Sequence, residues 1–331
     1  MKELQAIVRH LTSGAGGVLV TLTSVQGSSY RRPGARMLVD PEGRRIGSVS
    51  GGCLEEDLVL HSAGVSRTGV PQVVTYDTSA ENDLVWGVGL GCHGVVKILL
   101  ERVPPGPEWA RRLEANMDEG RPTLLETVWE SGTATLGTRL ASEAGDVPLH
   151  AVPGVFLDRV EPPPELAIFG AGDDAQPVSR IALELGWKVC VADPRPAMAT
   201  AARFAGAHRT LAGPAEGLVD QIAPRDGSLA IVMTHHYRHD VPILRGLLPR
   251  DLGFLGLLGP KKRSERILGD LASGGLSITP AMRSRLHAPV GLDIGADAPE
   301  EVALSIIAEM KATLSGRDAR PLRERLRPIH G

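Results

Sequence analysis

The chain has 331 residues, 42% hydrophobic and 23% charged, a balance typical of globular proteins and a length sufficient for two domains of about 100 to 200 residues each. A net charge of −3 and only 3% aromatic residues supply neither a basic field nor stacking platforms, which argues against a nucleic-acid partner. No apolar run approaches the roughly 20 residues that span a bilayer. The opening Met1-Lys2-Glu3-Leu4-Gln5 lacks the apolar core of a signal peptide, so a cytoplasmic protein is expected. Three cysteines without CxxC spacing argue against a disulfide framework or a four-thiolate zinc site.

In chain order, short strands are expected at 18–23, 36–39, 45–49 and 73–76, with Asp40-Pro41-Glu42-Gly43 supplying turn chemistry between the second and third. A helix over 54–61 follows Gly51-Gly52-Cys53, and another covers about 107–117. Further strands at 95–100, 124–129 and 134–139, the last two joined by a Ser131-Gly132 turn, make residues 1–152 a mixed α+β domain. Pro153, Pro162, Pro163 and Pro164 interrupt helix and sheet alike and mark 153–164 as a semi-rigid linker. Apolar runs at 166–169, 187–192, 229–233 and 254–258 then alternate with helical segments, as in a parallel sheet. The fold class expected is therefore α/β, with a Rossmann-like domain over 165–315 following the α+β domain. Its last helix, 302–314, is announced by Pro299, by first-turn acids and by an Asp-x-x-Glu capping pattern, and the arginine-rich tail 316–331 reads as solvated.

The densest chemical signal is Ile168-Phe169-Gly170-Ala171-Gly172-Asp173-Asp174, a strand running through two glycines into a helix. Missing side chains let such a backbone approach a pyrophosphate at a helix N-terminus. Asp193, ending the next strand, stands where an acid binds a ribose 2′-hydroxyl, while Arg195 suits a 2′-phosphate, so NAD and NADP both remain open. Asp173 and Asp174 cut the other way: the helix dipole favours them, yet they would repel a pyrophosphate. Thr234-His235-His236-Tyr237-Arg238-His239-Asp240 follows a strand and is expected to line the same crevice. His235 and His239 would share one helical face, which makes a metal site conceivable without fixing a third ligand. Lys261-Lys262-Arg263 either attracts phosphates or is a solvated helix end.

Two cysteines lie beside glycine turns. Cys53 follows Gly51-Gly52 at a helix start, where backbone N–H groups favour the thiolate, the form that ligates a soft metal or attacks sulfur. Cys92, within Trp86-Gly87-Val88-Gly89-Leu90-Gly91-Cys92-His93-Gly94, is a second candidate ligand, and both compete with the reading of inert thiols in tight turns. Cys190 sits in an apolar strand and is assigned to the core. Close to Cys53 in sequence, Arg31, Arg32 and Arg36 surround Pro33-Gly34; Arg32 and Arg36 are candidate forks for an anionic cofactor, and Arg31 is expected to be solvated.

The ordered series Gly27-Ser28-Ser29, Arg32-Pro33-Gly34-Ala35-Arg36-Met37, Gly47-Ser48-Val49-Ser50-Gly51-Gly52-Cys53-Leu54-Glu55, Gly170-Ala171-Gly172, Asp193-Pro194-Arg195-Pro196 and His287-Ala288-Pro289-Val290-Gly291-Leu292-Asp293-Ile294-Gly295 resembles the XdhC/CoxI family, accessory proteins of xanthine dehydrogenase and related molybdenum hydroxylases. The resemblance covers most of the chain. It implies a chaperone that binds the molybdenum cofactor, shelters it while a cysteine desulfurase supplies its terminal sulfur, and delivers it to an apo-hydroxylase; homodimerisation is also implied. Arg32 or Arg36 would meet the pterin phosphate, and Cys53 the metal. Two other classes compete: an NAD(P)-dependent oxidoreductase with His235 as proton donor, and a scaffold needing no cofactor.

Overall fold

The structure, a computed structural model, describes residues 1–77, 94–132, 135–141 and 152–326. These separate into two compact units, Met1–Pro162 and Pro163–Gly331.

The first unit runs α1 (Lys2–Thr12), β1 (Gly17–Gly27), β2 (Arg36–Val39), β3 (Arg45–Gly47), α2 (Glu55–Thr68), β4 (Gln72–Asp77), β5 (Gly94–Val103), α3 (Glu108–Glu119), β6 (Thr123–Val128), β7 (Gly137–Leu140) and β8 (Val155–Val160). An antiparallel five-stranded sheet has the order β3-β2-β1-β5-β4, and a three-stranded one the order β7-β6-β8. Alternation along β1 explains the layering: Leu19 joins Ile7, Leu11, Trp109 and Leu113 under α1 and α3, while Val18 and Val20 join Leu58 and Val65 under α2. Strand β8 lies within 153–164, the stretch expected to be linker. Its Val155, Phe156 and Leu157 pair with β6, which overrides the prolines that flank them. The expected strand at 134–139 begins later, at Gly137, and residues 133 and 134 fall outside the described set.

The second unit comprises β9 (Glu165–Phe169), α4 (Ala175–Glu184), β10 (Lys188–Asp193), β11 (Arg209–Ala212), α5 (Ala215–Ile222), β12 (Leu229–Val232), α6 (Tyr237–Leu247), β13 (Phe254–Leu257), α7 (Lys261–Ser273), α8 (Pro280–Arg285), β14 (Leu286–His287) and α9 (Pro299–Leu314). All six strands are parallel in the order β11-β10-β9-β12-β13-β14, the Rossmann arrangement. Both faces are covered. Leu166 and Ile168 of β9 face a core shared with α4 and α9, and Ala167 and Phe169 one shared with α5, α6 and α7. A parallel strand buried on both sides reads as an unbroken apolar run, which is why β9, β10, β12 and β13 were visible in the sequence.

Gly170 fixes where β9 stops. Its φ is +117°, and a Cβ there would come within 2.4 Å of the Met233 backbone just beyond β12, so only glycine lets the two strand ends close up. The direction of winding reverses between β9 and β12, which opens a crevice beyond their carboxyl ends. At α9, the Glu301 carboxylate accepts from the Asp297 and Ala298 amides at 2.8 and 3.1 Å, so the acid that reaches back is Glu301.

Candidate functional site

In the first unit the Gly51-Gly52-Cys53 turn is folded around an acid. Glu55, buried in the first turn of α2, accepts from the Val49 amide at 3.1 Å, the Ser50 amide at 2.8 Å and the Ser50 hydroxyl. Ser50 Oγ in turn accepts from the Gly52 and Leu54 amides, each at 3.2 Å. Burial pushes the Glu55 carboxyl up, but the Ser50 hydroxyl and the surrounding amides outweigh it and hold the group below the usual glutamate range. Gly52 takes φ +114°, and Cys53 is exposed at the crest of the turn. Sequence reasoning missed Glu55, because an acid in a first helical turn reads as an ordinary complement to the dipole.

The arginine loop does lie beside this turn. A Cβ on Gly51 would sit 3.6 Å from the Tyr30 ring, and Arg31 reaches Ser48 Oγ at 3.5 Å while pairing with Glu3 at 2.5 Å. Arg31, expected to be solvated, is thus half-buried and anchors the loop, whereas Arg32 is exposed. Arg36 is placed differently from the expected surface fork. It is 4% exposed and donates from Nη1 to Asp158 at 2.6 Å and to the Gly34 carbonyl at 3.2 Å, bracing β2 against β8. Its Nε and Nη2 find no hydrogen-bond partner among the described residues. Nearby Glu101 is pushed up by burial, against which hydrogen bonds from Thr138 and the Arg36 charge act. Cys92 and His93 lie outside the described residues. A groove of about 910 Å³ is formed elsewhere, between the carboxyl-terminal half of α2 (Ser62, Ala63, Ser66) and Val39, Arg102 and Val103, and it holds none of the candidate residues.

In the second unit the crevice gathers Gly170, Ala171 and Gly172 with Asp193, Arg195, Thr234 and His235. Asp193 is 0% exposed: Oδ2 accepts from the Ala171 amide at 2.6 Å and Arg195 Nη2 at 2.8 Å, and Oδ1 from the Arg195 amide at 2.7 Å and Nε at 2.8 Å. Burial pushes this carboxyl up, yet those donors prevail and hold it low. Asp173 and Asp174 are also engaged. Arg203 bonds Asp173 at 2.8 Å and the Ala171 carbonyl at 3.3 Å, and His235 Nε2 meets Asp174 at 2.6 Å.

His235 holds a positive φ of 58°, a strained state for a residue with a Cβ. The Asp174 hydrogen bond raises its imidazole, partial burial and the Arg263 charge oppose that, and the Asp174 and Asp240 charges reinforce it. Behind it Asp240 is buried, bonded to Thr234 Oγ1 at 2.5 Å and paired with Arg263; burial leaves its carboxyl raised despite both partners. Arg263 therefore buttresses the crevice from within. His235 and His239 do not converge: His239 stacks on His236 at 4.4 Å, and no group of three metal-ligating side chains occurs among the described residues. Cys190 is half-buried against one core, its thiol pushed up by burial.

A doubly wound parallel sheet with a glycine turn at its switch point, preceded by an antiparallel α+β unit with an exposed cysteine turn, defines a two-part α/β protein built on a Rossmann unit. Residues 166–310 match the XdhC Rossmann domain and residues 10–77 the XdhC and CoxI family. The chain is 34% identical over 318 residues to a Bacillus subtilis strain 168 protein named as a probable xanthine dehydrogenase subunit, covering 89% of this chain and 92% of that one. It is 25% identical over 322 residues to the molybdenum cofactor insertion chaperone PaoD of Escherichia coli strain K12, covering 93% and 86%. A crystal structure from Bacillus halodurans, described as a xanthine dehydrogenase, superposes with a TM-score of 0.81 at 29% identity, covering 98% of this chain and 99% of that one. The chain belongs to the XdhC/CoxI family. No helix among the described residues is long and apolar enough to cross a membrane.

Proposed function

We propose that the protein is a maturation factor for molybdenum hydroxylases of the xanthine dehydrogenase type. It binds the molybdenum cofactor, keeps it while a cysteine desulfurase supplies sulfur, and hands it to the apo-enzyme, acting in the cytoplasm as a homodimer. The observation that carries this reading is Cys53, exposed at the crest of a glycine turn beside an arginine loop, in a chain similar over most of its length to a molybdenum cofactor insertion chaperone. A buried thiol would have ruled out metal contact; this one is accessible. The residues suit the group in part: Cys53 offers a soft ligand, Arg32 an exposed guanidinium for the pterin phosphate, and Gly52, with open space where a Cβ would stand, leaves room for a close approach. Arg36 contributes indirectly, by holding the base of the loop. Cys92 is retained as a second proposed ligand.

When bound, the cofactor would supply the metal centre; the protein's part would be to hold the phosphate and to offer a sulfur ligand. The test is anaerobic purification after co-expression with cofactor biosynthesis, followed by molybdenum and pterin analysis of wild type and Cys53→Ala. Retention is expected to fall severalfold in the variant, and equal retention would remove the metal-contact role. The competing reading as an NAD(P)-dependent oxidoreductase draws support from His235 held against Asp174 at the crevice. It requires steady nicotinamide turnover by the purified protein.

A further inference from the structure

The acid at the end of β10 is committed before any ligand arrives. In a site that recognises a ribose diol, that carboxylate must offer an oxygen to the crevice. Asp193 offers none, because it is fully buried and both oxygens hold two donors each. Arg195 is the reverse case. Its Nε and Nη2 face Asp193, and with the side chain 49% exposed, the Nη1 end of the planar fork is turned away from that acid. Asp193 Oδ2 accepts from both Arg195 Nη2 and the Ala171 amide, which puts the guanidinium beside the glycine turn. The two turn acids that would repel an anion are drawn off, Asp173 by Arg203 and Asp174 by His235.

We propose that the switch-point crevice binds a phosphate monoester on Arg195, with Asp193 as the positioning residue that fixes the guanidinium, and that it discriminates against a bare ribose diol. Two small molecules carry this chemistry, a dinucleotide with a 2′-phosphate and the pterin of the molybdenum cofactor. In its pterin form the inference rests on the carrier reading above; in its dinucleotide form it does not.

The test titrates the full chain with NADP+ and NAD+ at fixed ionic strength, alongside molybdenum retention after anaerobic purification. In the dinucleotide case NADP+ binds about tenfold or more tighter than NAD+, as expected for a charge-assisted contact, and Arg195→Ala abolishes the preference. In the pterin case neither dinucleotide binds, and Arg195→Ala lowers molybdenum retention. Arg195→Lys, which preserves the charge, is expected to recover part of either effect and guards against a merely misfolded variant. NAD+ binding as tightly as NADP+, or both readouts indifferent to Arg195→Ala, overturns the proposal. Should wild type retain no molybdenum, the carrier reading fails while the NADP+ to NAD+ ratio still decides this one.

Discussion

Single residues in this protein are held by partners that the linear sequence conceals. Glu55 is the organiser of the cysteine turn, so Glu55→Gln is expected to cost about 1 to 3 kcal/mol, the usual range when a buried hydrogen-bonded group loses its match. Because its folded pKa is depressed, the stabilisation is complete above the ordinary glutamate range and is lost as pH falls through the folded value. Urea denaturation of wild type and variant at neutral pH and near pH 4 checks this, with the difference shrinking at the lower pH. His235 has the opposite sign. Its folded pKa is raised, so the Asp174 pair stabilises fully below the free-imidazole value of about 6.5 and fades as pH rises through the folded one. His235 is 57% exposed, and the gap between wild type and His235→Gln should be only about 0.5 kcal/mol at pH 5.5 and shrink as the pH is raised. Arg36 and Arg32, adjacent in motif, should separate in a melting experiment: Arg36→Ala leaves the partly exposed Asp158 without its buried partner and costs about 1 to 3 kcal/mol, whereas Arg32→Ala, at an exposed position, costs less, about 0.5 to 1 kcal/mol.

At the level of elements, the decisive contacts are backbone approaches. Gly170→Ala drives a Cβ into the Met233 peptide at a φ of +117°, so a loss of about 3 kcal/mol or more is expected, read as a lowered unfolding midpoint. The Rossmann strands were legible because burial on both faces makes them continuous apolar runs. The two edge strands of that sheet were not. Arg209–Ala212 alternates weakly and carries exposed residues, and Leu286–His287 is too short to show any period. Strand Val155–Val160 was hidden by its flanking prolines. In the candidate site, the turn that carries Cys53 was legible from Gly51 and Gly52. The Arg36–Asp158 contact spans 122 residues and the Asp174–His235 contact 61, so neither has a local signature. The place of Asp193 at the end of β10 was anticipated, but the engagement of its oxygens by Arg195 and the Ala171 amide, in place of the expected ribose contact, depends on side-chain direction, which spacing does not encode.

For the molecule as a whole, each unit has its own hydrophobic core, with Phe169 and Phe254 in the second and Leu19, Leu38 and Ile98 in the first. Residues 163–326 are accordingly expected to fold when expressed alone, giving a cooperative thermal transition and a mixed α/β circular dichroism spectrum. The crevice of that unit carries its acids and bases in matched pairs, Arg195 with Asp193, Arg203 with Asp173, His235 with Asp174 and Arg263 with Asp240. Opposite charges so closely coupled largely cancel at a distance, so these four pairs add little net field to the solvent. They therefore do little to steer an incoming anion, and the selectivity they contribute resides in how slowly the right one leaves.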